Sequence, residues 1–206
     1  VFFSFLEEGI RLLAEGVHPA RIEMAALKAG MPVGPLAIQD EVSLTLSEHV
    51  ANEVRKANPN KNDSLTSAEE VIHTMIHHFN RKGKASGAGF YEYPKDEKKH
   101  LWDGLSRWKK EVEISEQEMI DRFLFIQALE TLRCLEEGVL TSTIDGNIGS
   151  IFGIGFPAWT GGALQFLNQY GLSKVLTRAS VLESKYGVRF KAPQILIDKV
   201  KNNDLI

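Results

Sequence analysis

Apolar residues recur at three- and four-residue steps along most of the chain, the period that builds helices with one buried face. Phe2, Phe3, Phe5, Leu6, Ile10, Leu12, Leu13 and Val17 predict a first helix, closed by Gly16 as its C-terminal cap. Pro19 suits the first turn of a second helix, which runs to about Ala29 and stops at Gly30. Gly34-Pro35 opens a third through about Ala57, with Leu36, Ile38, Val42, Leu44, Leu46, Val50 and Val54 towards the core. Asn58-Pro59-Asn60-Lys61-Asn62-Asp63 is a loop by composition. Thr66-Ser67-Ala68-Glu69 has capping-box spacing and starts a fourth helix that ends near Lys82-Gly83. Lys84 to Pro94, KASGAGFYEYP, alternates like an extended segment and reads as an arm folded back on the helices. Asp96–Lys99 is a charged turn, followed by Trp102 and Trp108. Capping boxes return at Ser115-Glu116-Gln117-Glu118 and Ser142-Thr143-Ile144-Asp145. Ser173 is placed to cap a helix over Lys174–Tyr186, Gly187 ends it, and Pro193 starts the last one. The coarse reading is an all-α protein.

The pattern is written twice. Residues 5–44 and 125–172 each begin with an apolar helical run closing on Glu-Gly-Val, at Glu15-Gly16-Val17 and Glu137-Gly138-Val139. Each continues through an Ile-acid pair, Ile22-Glu23 and Ile144-Asp145, into a Gly/Pro turn, GMPVGPL and GFPAWTGGAL. The offset is 122 before the turn and 128 after it. A unit of about ninety residues exceeds a solenoid repeat, so a duplicated helical domain is expected. The expected domains are residues 1–95 as copy 1, 96–114 as a connector and 115–206 as a degenerate copy 2.

Length and composition narrow the function. The 206 residues are 43% apolar and 25% charged, ordinary for a globular chain of one or two domains. A net charge of −3 gives no basic face for nucleic acid. Cys134, the single cysteine, allows no internal disulfide and sits in an apolar helical run, where it reads as a small buried hydrophobe. No apolar run is long enough to span a membrane. The chain opens at Val1, inside a helical pattern, as a piece of a longer protein would.

Four motifs invite chemistry. Gly153-Ile154-Gly155-Phe156-Pro157-Ala158 satisfies the dinucleotide fingerprint by letter. That fingerprint needs a strand before it and a helix opening after it, whereas a capped helical pattern precedes it here and Pro157 removes an N–H at the turn. No cofactor site is therefore expected in this chain. His73 and His77 share a helix face at i and i+4, but the sequence offers no third ligand, so no metal is expected. Arg81, Lys82 and Lys84 could meet an anion but read first as a solvated charge cluster. The turn GMPVGPL fixes Met31, Val33 and Leu36 between two Gly and two Pro. It is either a tight connection between helices or a preset apolar wall for a flexible ligand.

The stretch EGIRLLAEGVHPARIEMAALKAGMPVGPLAIQDEVSL closely resembles the C-terminal domain of the 3-hydroxyacyl-CoA dehydrogenase family. GKASGAGFYEYP resembles that domain's ending, and GIGFPAWTGGALQFLNQYG a second, degenerate copy. Ser43 and Thr45 depart from the Gly and Asp usual after Asp40-Glu41-Val42, and Ala158-Trp159 replaces the commoner Pro-aromatic pair. The resemblance implies a 6-phosphogluconate dehydrogenase C-terminal-like fold in two tandem homologous domains, packed as a pseudo-two-fold pair. It implies the substrate-side, non-Rossmann part of an NAD-dependent (S)-3-hydroxyacyl-CoA dehydrogenase, in a multifunctional enoyl-CoA hydratase/dehydrogenase of fatty-acid β-oxidation. The catalytic His and Glu and the NAD-binding glycines belong to the family's Rossmann domain, so no catalytic or cofactor residue is assigned here and the chain alone is expected to be inactive. The acyl-pocket wall is carried onto Met31, Pro32, Val33, Gly34, Pro35 and Leu36. The alternative is an assembly module that touches no substrate. Implied partners are upstream Rossmann and enoyl-CoA hydratase domains of the same chain and the acyl-CoA substrate. A thiolase subunit is left open. The compartment would be cytoplasmic in a bacterium, mitochondrial or peroxisomal in a eukaryote.

Overall fold

A computed structural model describes residues 1–57 and 64–206; the loop read at Asn58–Asp63 lies outside the described residues. Among these the fold is all-α, with ten α-helices, four short 3-10 helices and one pair of two-residue strands. The helices are α1 (Phe2–Glu15), α2 (Pro19–Lys28), α3 (Pro35–Val42), α4 (Leu44–Ala57), α5 (Ser67–Phe79), α6 (Glu116–Glu136), α7 (Thr143–Ile154), α8 (Ala163–Tyr170), α9 (Leu172–Tyr186) and α10 (Gln194–Asn202). Strands β1 (Tyr91–Glu92) and β2 (His100–Leu101) pair antiparallel, with Tyr91 opposite Leu101. No helix among the described residues is long and apolar enough to cross a membrane.

The chain divides into two compact units. One comprises residues 6–27 and 33–116, so residues 96–114 fold as part of it. Its buried apolar residues include Ile10, Leu13, Ile22, Leu36, Leu44, Val71, Met75 and Phe90. Thr66 completes a capping box on α5, its hydroxyl accepting from the Glu69 N–H while the Glu69 carboxylate accepts from the Thr66 N–H. That arrangement satisfies two helix-end donors at once. Gly9 lies mid-helix for a steric reason: a Cβ there would come within 2.4 Å of Pro35 Cγ, so the helix and the Gly/Pro turn touch through a missing side chain.

The other unit comprises residues 1–5, 28–32 and 117–206. Its centre is α6, buried on every face from Asp121 to Leu129, as a helix surrounded by others must be. Phe125, Leu129, Leu132, Phe156, Leu164, Leu167, Val175, Leu182, Phe190 and Leu196 form its core. Asp121 and Glu118 bring charge to that helix and are paired, Asp121 with Arg178 at 2.7 Å and Glu118 with Lys185 at 2.9 Å. Burial alone would raise the Glu118 carboxyl, but hydrogen bonds from Tyr186 and Lys185 outweigh it and hold it low.

The structure changes the third predicted helix. It breaks at Ser43, where φ is 78°, into α3 and α4. The break turns part of the predicted apolar face outward, leaving Leu46 and Val54 nearly half exposed. The same arrangement follows α8, where Gly171 at φ 89° separates two helices and caps α9 in place of Ser173. The fourth predicted helix ends early, at Phe79, on Asn80 in the left-handed region.

Candidate functional site

The Gly/Pro turn at 30–36 is held by a carboxylate from α2. Pro35 occupies the first turn of α3, and the N-cap, Gly34, has no side chain to accept a hydrogen bond. Glu23 substitutes from outside: its Oε1 accepts from the Leu36 N–H at 2.8 Å, and its Oε2 accepts from Tyr91 Oη at 2.7 Å. A second N–H, that of Ala37, also points to it. An anion at a helix N-terminus meets unsatisfied donors and the positive end of the dipole. Gly34 is obligatory for this contact, since a Cβ would stand 2.5 Å from the Glu23 carboxyl. Burial pushes the Glu23 carboxyl up, and the hydrogen bonds from Tyr91, Leu36 and Ala37 offset part of the rise.

A second buried carboxylate closes the other end of α3. Asp40 is 1% exposed. Its Oδ1 accepts from the Phe90 N–H at 2.7 Å, and its Oδ2 from the Tyr91 N–H at 2.8 Å and Tyr93 Oη at 2.9 Å. Burial raises this carboxyl too, against the pull of those three donors and of Arg81. Tyr91 and Tyr93 are both pushed well above the usual phenol range, first by burial and then by the two acids. Arg81 is not part of a solvated cluster. It is buried, donating to the Gly89 and Tyr91 carbonyls and to Glu92, with its guanidinium 4.3 Å from the centre of the Trp102 ring. Lys84 pairs with Glu41 at 2.7 Å.

Of the six residues read as a pocket wall, four are buried. Met31, Gly34, Pro35 and Leu36 face inward, and only Pro32 and Val33 are exposed. Met31 Sδ accepts from Gln127 Nε2 at 3.6 Å, and Pro32 packs on Gly155. The outward apolar surface of the turn is thus Val33, 39% exposed, with Pro32 beside it in sequence.

The second Gly/Pro turn is built on the same plan with a different side chain. Asn147 of α7 accepts through Oδ1 from the Leu164 and Gln165 N–H groups at the start of α8, at 3.0 and 2.8 Å. At the far end of α8, Asn168 holds the backbone N–H and carbonyl of Ile206, as Asp40 holds the arm. Gly153 and Gly155 of the fingerprint lie in the last turn and C-cap of α7, the end that presents carbonyls rather than N–H groups. Cys134 is partly buried and its thiol is raised chiefly by burial, away from thiolate reactivity.

His73 and His77 of α5 meet a residue that the sequence did not single out. Glu48 of α4 lies 3.2 Å from His73 Nδ1 and 2.9 Å from His77 Nε2. The pairing links positions 25 and 29 residues apart, so no local spacing could announce it.

The model of the 3-hydroxyacyl-CoA dehydrogenase C-terminal domain matches residues 1–93. The fatty acid oxidation complex subunit alpha of Vibrio cholerae serotype O1 is 32% identical over 194 residues, 92% of this chain and 27% of that protein. The subunit of the same description from Shewanella frigidimarina is 32% identical over 198 residues, 94% of this chain and 27% of that protein. The chain thus spans about a quarter of the length of these curated relatives. Among solved structures, 3-hydroxybutyryl-CoA dehydrogenase from Escherichia coli K12 superposes with a TM-score of 0.69 at 19% identity, covering 97% of this chain and 58% of that one. The dehydrogenase part of multifunctional enzyme 1 from C. elegans gives 0.63 at 16% identity, over 95% and 45%. At such identities these two speak for the fold. The sequence matches carry the assignment, which is made for the matched residues: 1–93 are a C-terminal domain of the 3-hydroxyacyl-CoA dehydrogenase family.

Proposed function

We propose that this chain is the substrate-side part of an NAD-dependent (S)-3-hydroxyacyl-CoA dehydrogenase within a multifunctional β-oxidation enzyme. The observation that carries the reading is the alignment of 92% of this chain to 27% of a fatty acid oxidation complex alpha subunit. The chemistry then belongs to other domains of the same polypeptide. The residues here do not fit a dinucleotide, because the one look-alike fingerprint closes α7 instead of opening a helix.

What these residues contribute is a fixed apolar surface. Glu23 fixes the start of α3, Asp40 fixes its end, and Val33 is left outward on a backbone set by Gly34 and Pro35. A surface that does not reorganise gains affinity for an alkyl chain without an ordering cost. We also propose that residues 115–206 are a second, degenerate copy of the domain at 1–95. In its favour, α3 and α8 are each eight residues long, each capped from the preceding helix and each followed by a single positive-φ residue.

The test is Val33→Gln and Val33→Trp in the full-length enzyme. Val33 is exposed, so both variants should fold. A changed preference between short and long acyl-CoA substrates, read as kcat/KM, is the expected result. Unchanged kinetics across chain lengths would overturn the wall reading and favour the rival, an assembly module that touches no substrate. The burial of Met31 and Leu36 favours that rival, since both fill core positions.

A further inference from the structure

The Glu48–His73–His77 cluster has no part in the acyl surface, and its chemistry is that of a metal ligand set. We propose that these three side chains form a binding site for a divalent transition-metal ion of the zinc class. Helix α4 supplies the carboxylate, and α5 supplies two imidazoles one turn apart on a single face. Besides the two contacts already given, Glu48 Oε2 lies 3.2 Å from His77 Nε2, and the candidate ligand atoms all lie within 4.8 Å of one another. Bonds of about 2.0–2.1 Å at tetrahedral angles separate ligand atoms by roughly 3.3 Å, so the contacts of Glu48 with the two imidazoles need to open by only a few tenths of an ångström around an ion.

Access and orientation agree with this. The Glu48 side chain is 25% exposed, whereas those of His73 and His77 are 48% and 49% exposed, leaving an open side for the ion and a water ligand. Each imidazole can keep its proton on the nitrogen that faces away, so that His73 Nδ1 and His77 Nε2 present lone pairs. The rings stand 4.3 Å apart, tilted by 38°. The two helices are already tied beside the cluster by Arg55 of α4 and Glu69 of α5 at 2.7 Å. All five residues line one cavity of about 410 Å³. Two imidazoles and one carboxylate suit zinc-class ions, whereas Mg²⁺ and Ca²⁺ want oxygen alone.

The experiment titrates the full-length protein with ZnCl₂ in competition with a chromophoric chelator of micromolar affinity. One equivalent is expected to bind, with a rise in Tm, and Co²⁺ in its place should give the visible bands of a tetrahedral N/O site. Glu48→Gln, His73→Gln and His77→Gln should each weaken that equivalent at least tenfold, while His78→Gln leaves it unchanged. Melting each variant with EDTA checks that the fold persists, and the wild-type titration stands whatever the variants do. Failure of the wild type to take up zinc overturns the site. So does an equivalent that survives all three substitutions.

Discussion

A single residue, Ser43, decides how the middle of the first domain is built. At φ 78° and ψ 138° it adopts a backbone that favours glycine, and it does so between two helices whose apolar period would run straight through. Its hydroxyl recovers part of the cost by accepting from the Leu46 N–H at 3.2 Å. Holding a side chain there costs about 1–3 kcal/mol, whereas exchanging a capping Ser for Gly costs only a few tenths. Ser43→Gly should therefore raise the unfolding free energy by about 1 kcal/mol. Ser43→Ala, which keeps the strain and loses the cap, should lower it by about as much. Urea denaturation monitored by circular dichroism reads both. Periodicity could not reveal this break, because Val42 and Leu44 both suit a continuous helix. The only written sign was that Ser43 stands where the resembled family usually has Gly.

The short helix α3 owes its existence to side chains far from it in sequence. Asp40 gathers two backbone N–H groups and one phenol from the arm at 84–94. Asp40→Ala would strand those donors, at about 1–3 kcal/mol for each one left buried, so a loss of about 3 kcal/mol or more is expected. The arm should open before the rest of the unit, seen as protease cleavage near Gly87 at urea concentrations where the helical signal is intact. Cleavage only together with global unfolding would contradict this. Elements of this kind divide sharply in legibility. The capping box at Thr66 was readable because both partners lie within four residues, and the structure contains it. The caps supplied by Glu23 and Asn147 reach across 13 and 17 residues, and no local rule finds them. The arm was legible as extended only in part: Tyr91–Glu92 form a strand, but Lys84–Ser86 make a 3-10 turn, and Arg81, read as solvated, is the buried post on which the arm hangs.

For the whole molecule, helical class and family were legible because both rest on long, ordered patterns, and exposure was not, because it depends on what packs where. Four of the six residues carried onto a pocket wall are interior, and Val33 remains the apolar residue of that turn best placed to meet a ligand. The chain alone should show no turnover of acetoacetyl-CoA with NADH at concentrations where the full-length enzyme is readily measured. Detectable oxidation of NADH would sink the division of labour proposed above. The distant cap on α3 has one more effect. Eight residues are too few to hold a helix in water, so α3 persists only while α2 is docked and Glu23 is in reach. A ligand at Val33, as proposed above, would meet this latch already closed, and its binding free energy would appear as added protection of α3 against local opening.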